Sequence, residues 1–351
     1  MSSYVLAQIY QLILNLVGGG PGPVYPARRN IRIGSRKSKL ALVQTHLVRD
    51  ALQAAYPDTN FEIIAMTTTG DNNQMKPLHS FGAKALWTQE LEVLLLENKL
   101  EMIVHSLKDL DMPTQLPHGC KIGAILERED PRDALVMKAG SSYKSLEDLP
   151  EGSVVGTSSV RRSAQIKKRY PHLNFEDVRG NVGTRLAKLD DPASSYTCLI
   201  LAAAGLTRLD LGERITGYLS SPYLLHAVGQ GALGVEIRDG DEGTAKMLEV
   251  LAHKETTLYC LAERSLMRTL EGGCSVPIGV ETETATDGQM LMRAVVVSLD
   301  GQNSVDIEER MEVVDEEAAN DFGRVVARKL VDAGAGDILK GINHNKDLVD
   351  T

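Results

Sequence analysis

Short apolar runs alternate with helix-period segments through most of this chain, and that alternation is what most narrows the folds open to it. Ile31-Arg32-Ile33-Gly34-Ser35 reads as a strand, and a helix follows from about Ser38 to Tyr56, with Leu40, Val43, Leu47, Val48, Ala51 and Ala55 on one face. Phe61 to Met66 is the next strand and Thr88 to Glu97 the next helix, and the apolar run Leu100 to Val104 leads into another strand end. Lys121 to Leu126 and Ala134 to Met137 predict strands on either side of the turn-like Asp130-Pro131-Arg132-Asp133. The pattern then repeats. Ser153 to Thr157 runs into a helix at Ser158-Ser159, Phe175 to Val178 precedes a helix from about Val182, and Cys198 to Leu201 precedes one after Ala202. Two α/β units with mainly parallel sheets follow from this order, the second spanning roughly residues 132 to 225.

The rest of the chain departs from that rhythm. Ala227 to Ile237, with Gly229-Gln230-Gly231, predicts a strand with a tight glycine approach, and two helices are expected at about 243–252 and 255–270. Gly272-Gly273-Cys274-Ser275 forms a loop into Val276-Pro277-Ile278-Gly279-Val280. Leu291 to Leu299 and Val305 to Val313 flank Asp300-Gly301-Gln302 as a hairpin, and a helix over Glu316 to Ala333 completes a smaller α+β unit. Before Asn30 lies a different kind of sequence. The apolar run Tyr4 to Val17 lacks a basic flank, is too short to span a bilayer, and is followed by the Gly/Pro run Gly18 to Pro23. Residues 1–30 are expected to be an extension, disordered or partly helical, outside the folded body.

Charge and cysteines exclude some functions. A net charge of −9 argues against general nucleic-acid binding, so a local cluster of arginines is informative. Cys120, Cys198, Cys260 and Cys274 form no CxxC pair and have no histidine cluster nearby, so no metal site is expected, and their wide spacing fits a reducing compartment. No Walker-type phosphate loop is present, nor a GxGxxG after a strand.

Three stretches carry chemistry. In Val104-His105-Ser106-Leu107-Lys108-Asp109 a buried strand ends by delivering a hydroxyl, an ammonium and a carboxylate to one place. Lys108 beside Asp109 can hold the carboxylate ionised or tune it for proton transfer, and a surface ion pair is the other reading of the same spacing. Arg161, Arg162, Lys167, Lys168, Arg169, Arg179 and Arg185 fall in a window whose only acids are Glu176 and Asp177. A helix N-terminus bearing Ser158 and Ser159, reinforced by arginine, suits carboxylate or phosphate. Arg36 follows the first strand and Lys84 follows Gly82, so cations from two α/β units would face one crevice. Lys167, Lys168 and Arg169 are expected on a solvated helix face. Cys274 lies behind two glycines that allow an exposed sulfur, and reads as a nucleophile, a cofactor anchor or a loop residue without a role, whereas Cys198 and Cys260 sit in apolar runs and read as core.

Taken together, HSLKD at 105–109, GTSSVRR at 156–162, VRGNVGTRL at 178–186, AAAGLTRL at 202–209, AVGQGALGVE at 227–236 and EGGCSVPIG at 271–279 resemble the hydroxymethylbilane synthase (porphobilinogen deaminase) family, in order, from about Ile31 to the C-terminus. The resemblance implies two similar periplasmic-binding-protein-like α/β domains, 31–130 with 228–249 and 131–227, and a smaller C-terminal α+β domain, 250–351. It implies a cytoplasmic, monomeric transferase of tetrapyrrole (haem) biosynthesis, with no nucleic-acid or membrane partner. Such an enzyme joins four porphobilinogen molecules head to tail, releases ammonia at each condensation and hydrolyses off the linear hydroxymethylbilane. A dipyrromethane cofactor would be tethered to Cys274 through a thioether. Asp109 matches the catalytic aspartate, placed to stabilise the cationic azafulvene left by ammonia loss and to move protons. By the same resemblance Lys84, Ser106, Lys108, Thr157, Ser158, Ser159, Arg161, Arg162, Arg179, Arg185, Arg208 and Gln230 contact the cofactor, and Arg36, Ser38, Gln44, Arg161, Arg179 and Arg185 the substrate.

Three positions depart from the family pattern. Leu110-Asp111-Met112 separates Asp109 from Pro113-Thr114, two residues more than usual, and makes Asp111 the alternative match for the catalytic carboxylate. Ser80 stands where a lysine is common, and Leu86-Trp87 replaces a Leu-Phe pair. A two-lobed anion-binding module without catalysis, or a catalytically impaired homologue, is the rival reading.

Overall fold

The computed structural model describes residues 30–68, 88–110, 116–270 and 276–349, with side chains described to residue 342. Thirteen strands fall into three sheets among these residues. The first holds β1 (Asn30–Arg36), β2 (Asn60–Met66), β3 (Met102–Ser106), β4 (Cys120–Ile125) and β10 (Leu233–Arg238), in the order β2-β1-β3-β10-β4. The second holds β5 (Asp133–Met137), β6 (Val154–Gly156), β7 (Asn174–Glu176), β8 (Tyr196–Ala202) and β9 (Gly217–Leu219), in the order β7-β6-β8-β5-β9. The third is the meander β11 (Ile278–Thr284), β12 (Met290–Val297) and β13 (Ser304–Met311).

The first two sheets share one topology. In each, three parallel strands (β2-β1-β3 and β7-β6-β8) are followed by an antiparallel strand (β10 and β5), then by an edge strand antiparallel to that one (β4 and β9). The strand that breaks the parallel run is the one that carries the chain between the two lobes: β5 enters the second lobe from β4, and β10 returns from β9 to the first. The sheets are therefore less parallel than the sequence suggests. A crossing strand has to run against its neighbours for the chain to pass from lobe to lobe on one side.

Helix α1 (Lys39–Ala55) starts where the Ser38 side chain accepts a hydrogen bond from the Ala41 amide, 3.3 Å away. Its Val48, Ala51 and Leu52 pack on Ile31, Ile33, Met102 and Val104, all buried. Burying each such large side chain contributes roughly 1.5–3 kcal/mol. Helix α2 (Gln89–Leu96) covers the other face through Leu91 and Leu95 against Leu100 and Ile103. In the second lobe, α3 (Val160–Arg169), α4 (Val182–Asp190) and α5 (Ala203–Arg208) follow β6, β7 and β8. After α6 (Glu242–Leu248), the third unit packs α7 (Lys254–Thr269) and α8 (Glu316–Leu330) over its sheet, with Ala262, Leu266, Phe322, Val326 and Met292 at the centre. Among the described residues no helix is long and apolar enough to cross a membrane.

Three elements differ from the sequence reading. The strand expected over 227–237 begins only at Leu233, because Gly229 and Gly231 take positive φ (69° and 89°) and turn the chain before it. The C-terminal helix does not stop near Ala333: it passes through a π turn at Val331–Ala335, with Gly334 at φ 104°, into α9 (Gly336–Val349). The three-residue β9 was not anticipated; it pairs with β5, packs Leu219 on the second-lobe core and carries Tyr218 beneath the Arg132 guanidinium.

Candidate active site

The crevice lies where the parallel strands of both lobes end. Ser106, the last residue of β3, pairs with Leu233 at the start of β10, and Ala202, the last residue of β8, pairs with Asp133 at the start of β5. This is the position at which open α/β sheets hold ligands.

β3 passes into a single 3₁₀ turn, Leu107–Asp109. Leu107 and Leu110 are fully buried and anchor the turn against Ile125, Ala232 and Cys260. Between these anchors Lys108 is half-buried and Asp109 exposed. Ser106 is held by Gln44 of α1, whose Nε2 donates to Ser106 Oγ at 2.9 Å. One residue upstream, His105 is buried against Glu236, Nε2 to Oε2 2.9 Å. Lys108 Nζ donates to Gln230 Oε1 at 3.3 Å. Burial pushes the Lys108 ammonium down to about 8, aided by Arg162 and Arg161 and opposed by Asp109 and Asp133.

From the second lobe, Ser159 caps α3 by accepting from the Arg162 amide at 3.4 Å, and Ser158 Oγ donates to Val178 O at 3.0 Å. Thr157 is buried beside them. Arg161 and Arg162 leave the first turn of α3 into the interior, where both meet Asp133. Arg161 Nη1 donates to Asp133 Oδ2 at 2.7 Å, and Arg162 donates through Nε and Nη2 to Asp133 Oδ1 at 3.0 and 2.7 Å. The two guanidiniums hold the Asp133 carboxyl far below the usual carboxylate range despite complete burial. Arg185, on α4, donates to Gly180 O at 2.8 Å. Burial and then the fields of Arg162 and Arg179 lower its pKa to about 10, with Asp109 opposing. Arg208, at the end of α5, is buried, donates to Gly231 O at 2.6 Å and is lowered to about 10 by burial. Its Nε has no hydrogen-bond partner among the described residues. Arg36 and Arg179 are half-buried, one at the end of β1 and the other after β7, and Ser38 is the α1 cap.

Thus Gln44–Ser106 and Gln230–Lys108 form two hydrogen-bonded pairs on the first-lobe side, and Arg161, Arg162 and Arg185 from the second lie within electrostatic reach of Lys108 or Asp109. Cys274, Lys84, Asp111, Ser80 and Leu86-Trp87 lie outside the described residues. The sequence reading missed Asp133, the shared counter-ion, which it took as part of a turn. The available signal was an acid heading the otherwise apolar strand Ala134–Met137. It also missed the buried pair Arg128–Glu263, 2.7 Å apart. Cys198 and Cys260 are fully buried, as expected of core thiols. Lys167, Lys168 and Arg169 do lie on an outer face, but each has a partner: Phe175, Asp306 and Tyr223 respectively.

The donor set fits a polycarboxylate. Arg185, lowered by burial and then by the fields of Arg162 and Arg179, sits where an anion brings relief, and Arg208 Nε is a buried donor still to be satisfied. A dipyrromethane bearing acetate and propionate side chains has that chemistry.

The sequence matches known families and proteins over most of its length. The family described as "Porphobilinogen deaminase, dipyromethane cofactor binding domain" matches residues 31–246, and "Porphobilinogen deaminase, C-terminal domain" matches 257–332. The chain is 61% identical over 316 residues to the porphobilinogen deaminase of Yarrowia lipolytica, covering 89% of this chain and 93% of that one. It is 51% identical over 321 residues to that of Saccharomyces cerevisiae, covering 89% and 97%. Among solved structures, the BenM effector-binding domain with benzoate aligns with a TM-score of 0.39 at 15% identity, over 64% of this chain and 91% of that one. By its two matched domains and this identity over nearly its whole folded length, the chain belongs to the porphobilinogen deaminase family.

Proposed function

We propose that the crevice is the active site of a hydroxymethylbilane synthase, a transferase that condenses four porphobilinogen molecules head to tail with release of ammonia and hydrolyses off the linear product. The observation that carries this reading is that the exposed carboxylate of Asp109 shares its field with Lys108 beside it and with Arg185 of the second lobe. An anion-binding module needs the cations but has no use for a carboxylate among them. That alternative is not favoured by the family match over both domains.

The dipyrromethane, when bound through Cys274, supplies an anchored pyrrole end from which the chain is extended. The protein's own groups do the rest. Arg36, Arg161, Arg179 and Arg185, with Ser38 and Gln44, hold substrate acetates and propionates. Lys84, Ser106, Lys108, Thr157, Ser158, Ser159, Arg162, Arg208 and Gln230 hold or frame the cofactor. Arg161 and Arg162 are already engaged with Asp133, so they offer a ligand their remaining donors and, as a triad with it, one net positive charge. Asp109 accepts pyrrole N–H hydrogen bonds, faces the cation left when ammonia departs, and takes the proton released at the new ring junction. Residues 31–130 with 228–249, 131–227 and 250–351 act as three domains. The enzyme works as a cytoplasmic monomer on a small molecule, without a nucleic-acid or membrane partner. Dispersed cysteines and the net charge of −9 support the compartment and the absence of a nucleic-acid partner.

Intact-mass measurement tests the reading. The purified protein should carry an adduct of two pyrrole units, absent in Cys274→Ser, and should convert porphobilinogen to hydroxymethylbilane. Unmodified protein after incubation with porphobilinogen would refute it.

A further inference from the structure

We propose that Asp133 is a positioning residue: a resident carboxylate that neutralises part of the Arg161–Arg162 pair and, through Gln230, holds Lys108 in place beside Asp109. The inference rests on the reading of the crevice as the condensation site.

Asp133 is fully buried and accepts four hydrogen bonds from three side chains. Besides the three from Arg161 and Arg162, Gln230 Nε2 donates to Oδ1 at 2.9 Å. Gln230 is also fully buried, so its amide cannot exchange partners with water. Its Nε2 donates a second time, to Pro131 O at 2.7 Å. With both acceptors, a backbone carbonyl and an ionised carboxylate, on the nitrogen side, the amide has one workable orientation. Its Oε1 must then face away from them, and it is this oxygen that receives Lys108 Nζ at 3.3 Å. Asp133 and Pro131 O therefore set the Gln230 flip together, and the flip sets the Lys108 acceptor.

The placement in the fold gives this relay its purpose. Asp133 opens β5 and Gln230 lies three residues before β10, the two strands that carry the chain between lobes. The relay runs from the arginine helix of the second lobe, across both connections, to the turn that bears Asp109. A position change in one lobe reaches Lys108 through two side chains rather than through either sheet.

Charge balance gives the relay a measurable consequence. The charged groups facing Lys108 are Asp109 and Asp133, which favour its ammonium, and Arg162 and Arg161, which oppose it. Burial already holds Lys108 near 8, so loss of the Asp133 charge is felt at neutral pH. Asp133→Asn keeps the shape and removes the charge. The Lys108 ammonium then loses one of its two supports and its pKa falls.

Titration of ¹³Cε-labelled lysines by NMR in the full-length protein, with the Lys108 signal identified from Lys108→Arg, tests this directly. In Asp133→Asn the Lys108 midpoint should fall by about one unit. The basic limb of kcat/KM against pH should move the same way, and Asp133→Glu should recover part of both. Gln230→Leu, which leaves the Asp133–arginine pairs in place, should also lower the Lys108 midpoint. If Asp133→Asn does not fold, Gln230→Leu decides alone. An unchanged Lys108 midpoint in the folded variants overturns the proposal, even if activity falls, and leaves Asp133 a structural counter-ion. The NMR readout needs no turnover, so its failure is distinct from failure to find the two-pyrrole adduct or the product.

Discussion

Arg128 grips Glu263 with both terminal nitrogens, at 2.7 and 3.0 Å, and the pair ties all three units together at one buried point. Arg128 belongs to the connection leaving the first lobe, and its Nε donates to Gln230 O in the returning connection at 2.7 Å. Glu263 belongs to α7 of the third unit and also accepts from the Gly229 amide at 2.7 Å and from Thr282 Oγ1 at 2.6 Å. Arg128 thereby joins both crossings to the unit whose chain contains Cys274.

Breaking that pair should unfold the protein more readily than its two residues would suggest. Arg128→Met leaves a fully buried, multiply bonded carboxylate without its cation, at a cost of about 3–5 kcal/mol. The double variant Arg128→Met/Glu263→Gln should cost less than the two single changes summed, because neither orphaned charge remains. Urea unfolding of the four proteins measures both quantities. A loss below about 1 kcal/mol in Arg128→Met would show that the pair is not the tie described.

Removing Asp109 should cripple the chemistry and spare the fold. Its side chain is exposed and makes no recorded hydrogen bond among the described residues, so Asp109→Ala should leave the melting temperature unchanged. Turnover should fall by about 10²–10⁴, the range for loss of a group that transfers protons and stabilises charge. Asp111→Ala is the internal control and should retain turnover within a few-fold. The reverse outcome would transfer the catalytic role to Asp111.

How far such a site can be read from sequence depends on the range of the contact. Apolar periodicity places β1, α1, β3 and β8 because each buries a face whose pattern is local. The capping serines Ser38 and Ser159 and the strand-end run Ser106 to Asp109 are legible for the same reason. Partner choice is another matter. Arg161 and Arg162 meet Asp133 from 28 and 29 residues away, and Arg128 meets Glu263 from 135 residues away. No local pattern announces such a partner, so the arginines read as free cations when they are half-neutralised. No local pattern announces the return of β10 to the first sheet either, since its residues look like any buried strand; only the family resemblance groups 228–249 with 31–130. Gly229 and Gly231 are visible as glycines, but only the fold shows that they end the turn and delay the strand to Leu233.

Gly231 should not tolerate a side chain. An added Cβ would lie 2.2 Å from the carbonyl oxygen of Glu129, in backbone that cannot swing aside as a flexible side chain could. Its φ of 89° adds about 1–3 kcal/mol of strain for any other residue. Gly231→Ala should therefore lose at least about 2 kcal/mol in urea unfolding and also disturb Arg208, whose Nη2 donates to Gly231 O. A variant as stable as the parent would mean that the two connections are not in the close contact seen here.

His226 should make stability fall on mild acidification. Its ring is 2% exposed, and burial, followed by the field of Arg128, pushes its pKa down to about 4, with Glu263 opposing. Its Nδ1 lies 3.0 Å from Ala227 O, and its Nε2 has no partner among the described residues. In the unfolded chain the ring titrates at its ordinary value near 6.5. Between those two values the unfolded state binds a proton that the folded state refuses, so stability rises with pH across the window and is lost as pH falls from 6.5 to 4. The full effect is about 3 kcal/mol. His46, half-buried and also lowered, adds a slope of the same sign, and the carboxylates held down by ion pairs, such as Asp130 and Glu101, act mainly below the window. The difference between parent and His226→Gln therefore isolates this ring. Unfolding free energies measured from pH 7 to 4.5 should converge for the two proteins as the pH drops, and parallel curves over that range would rule out the buried neutral histidine.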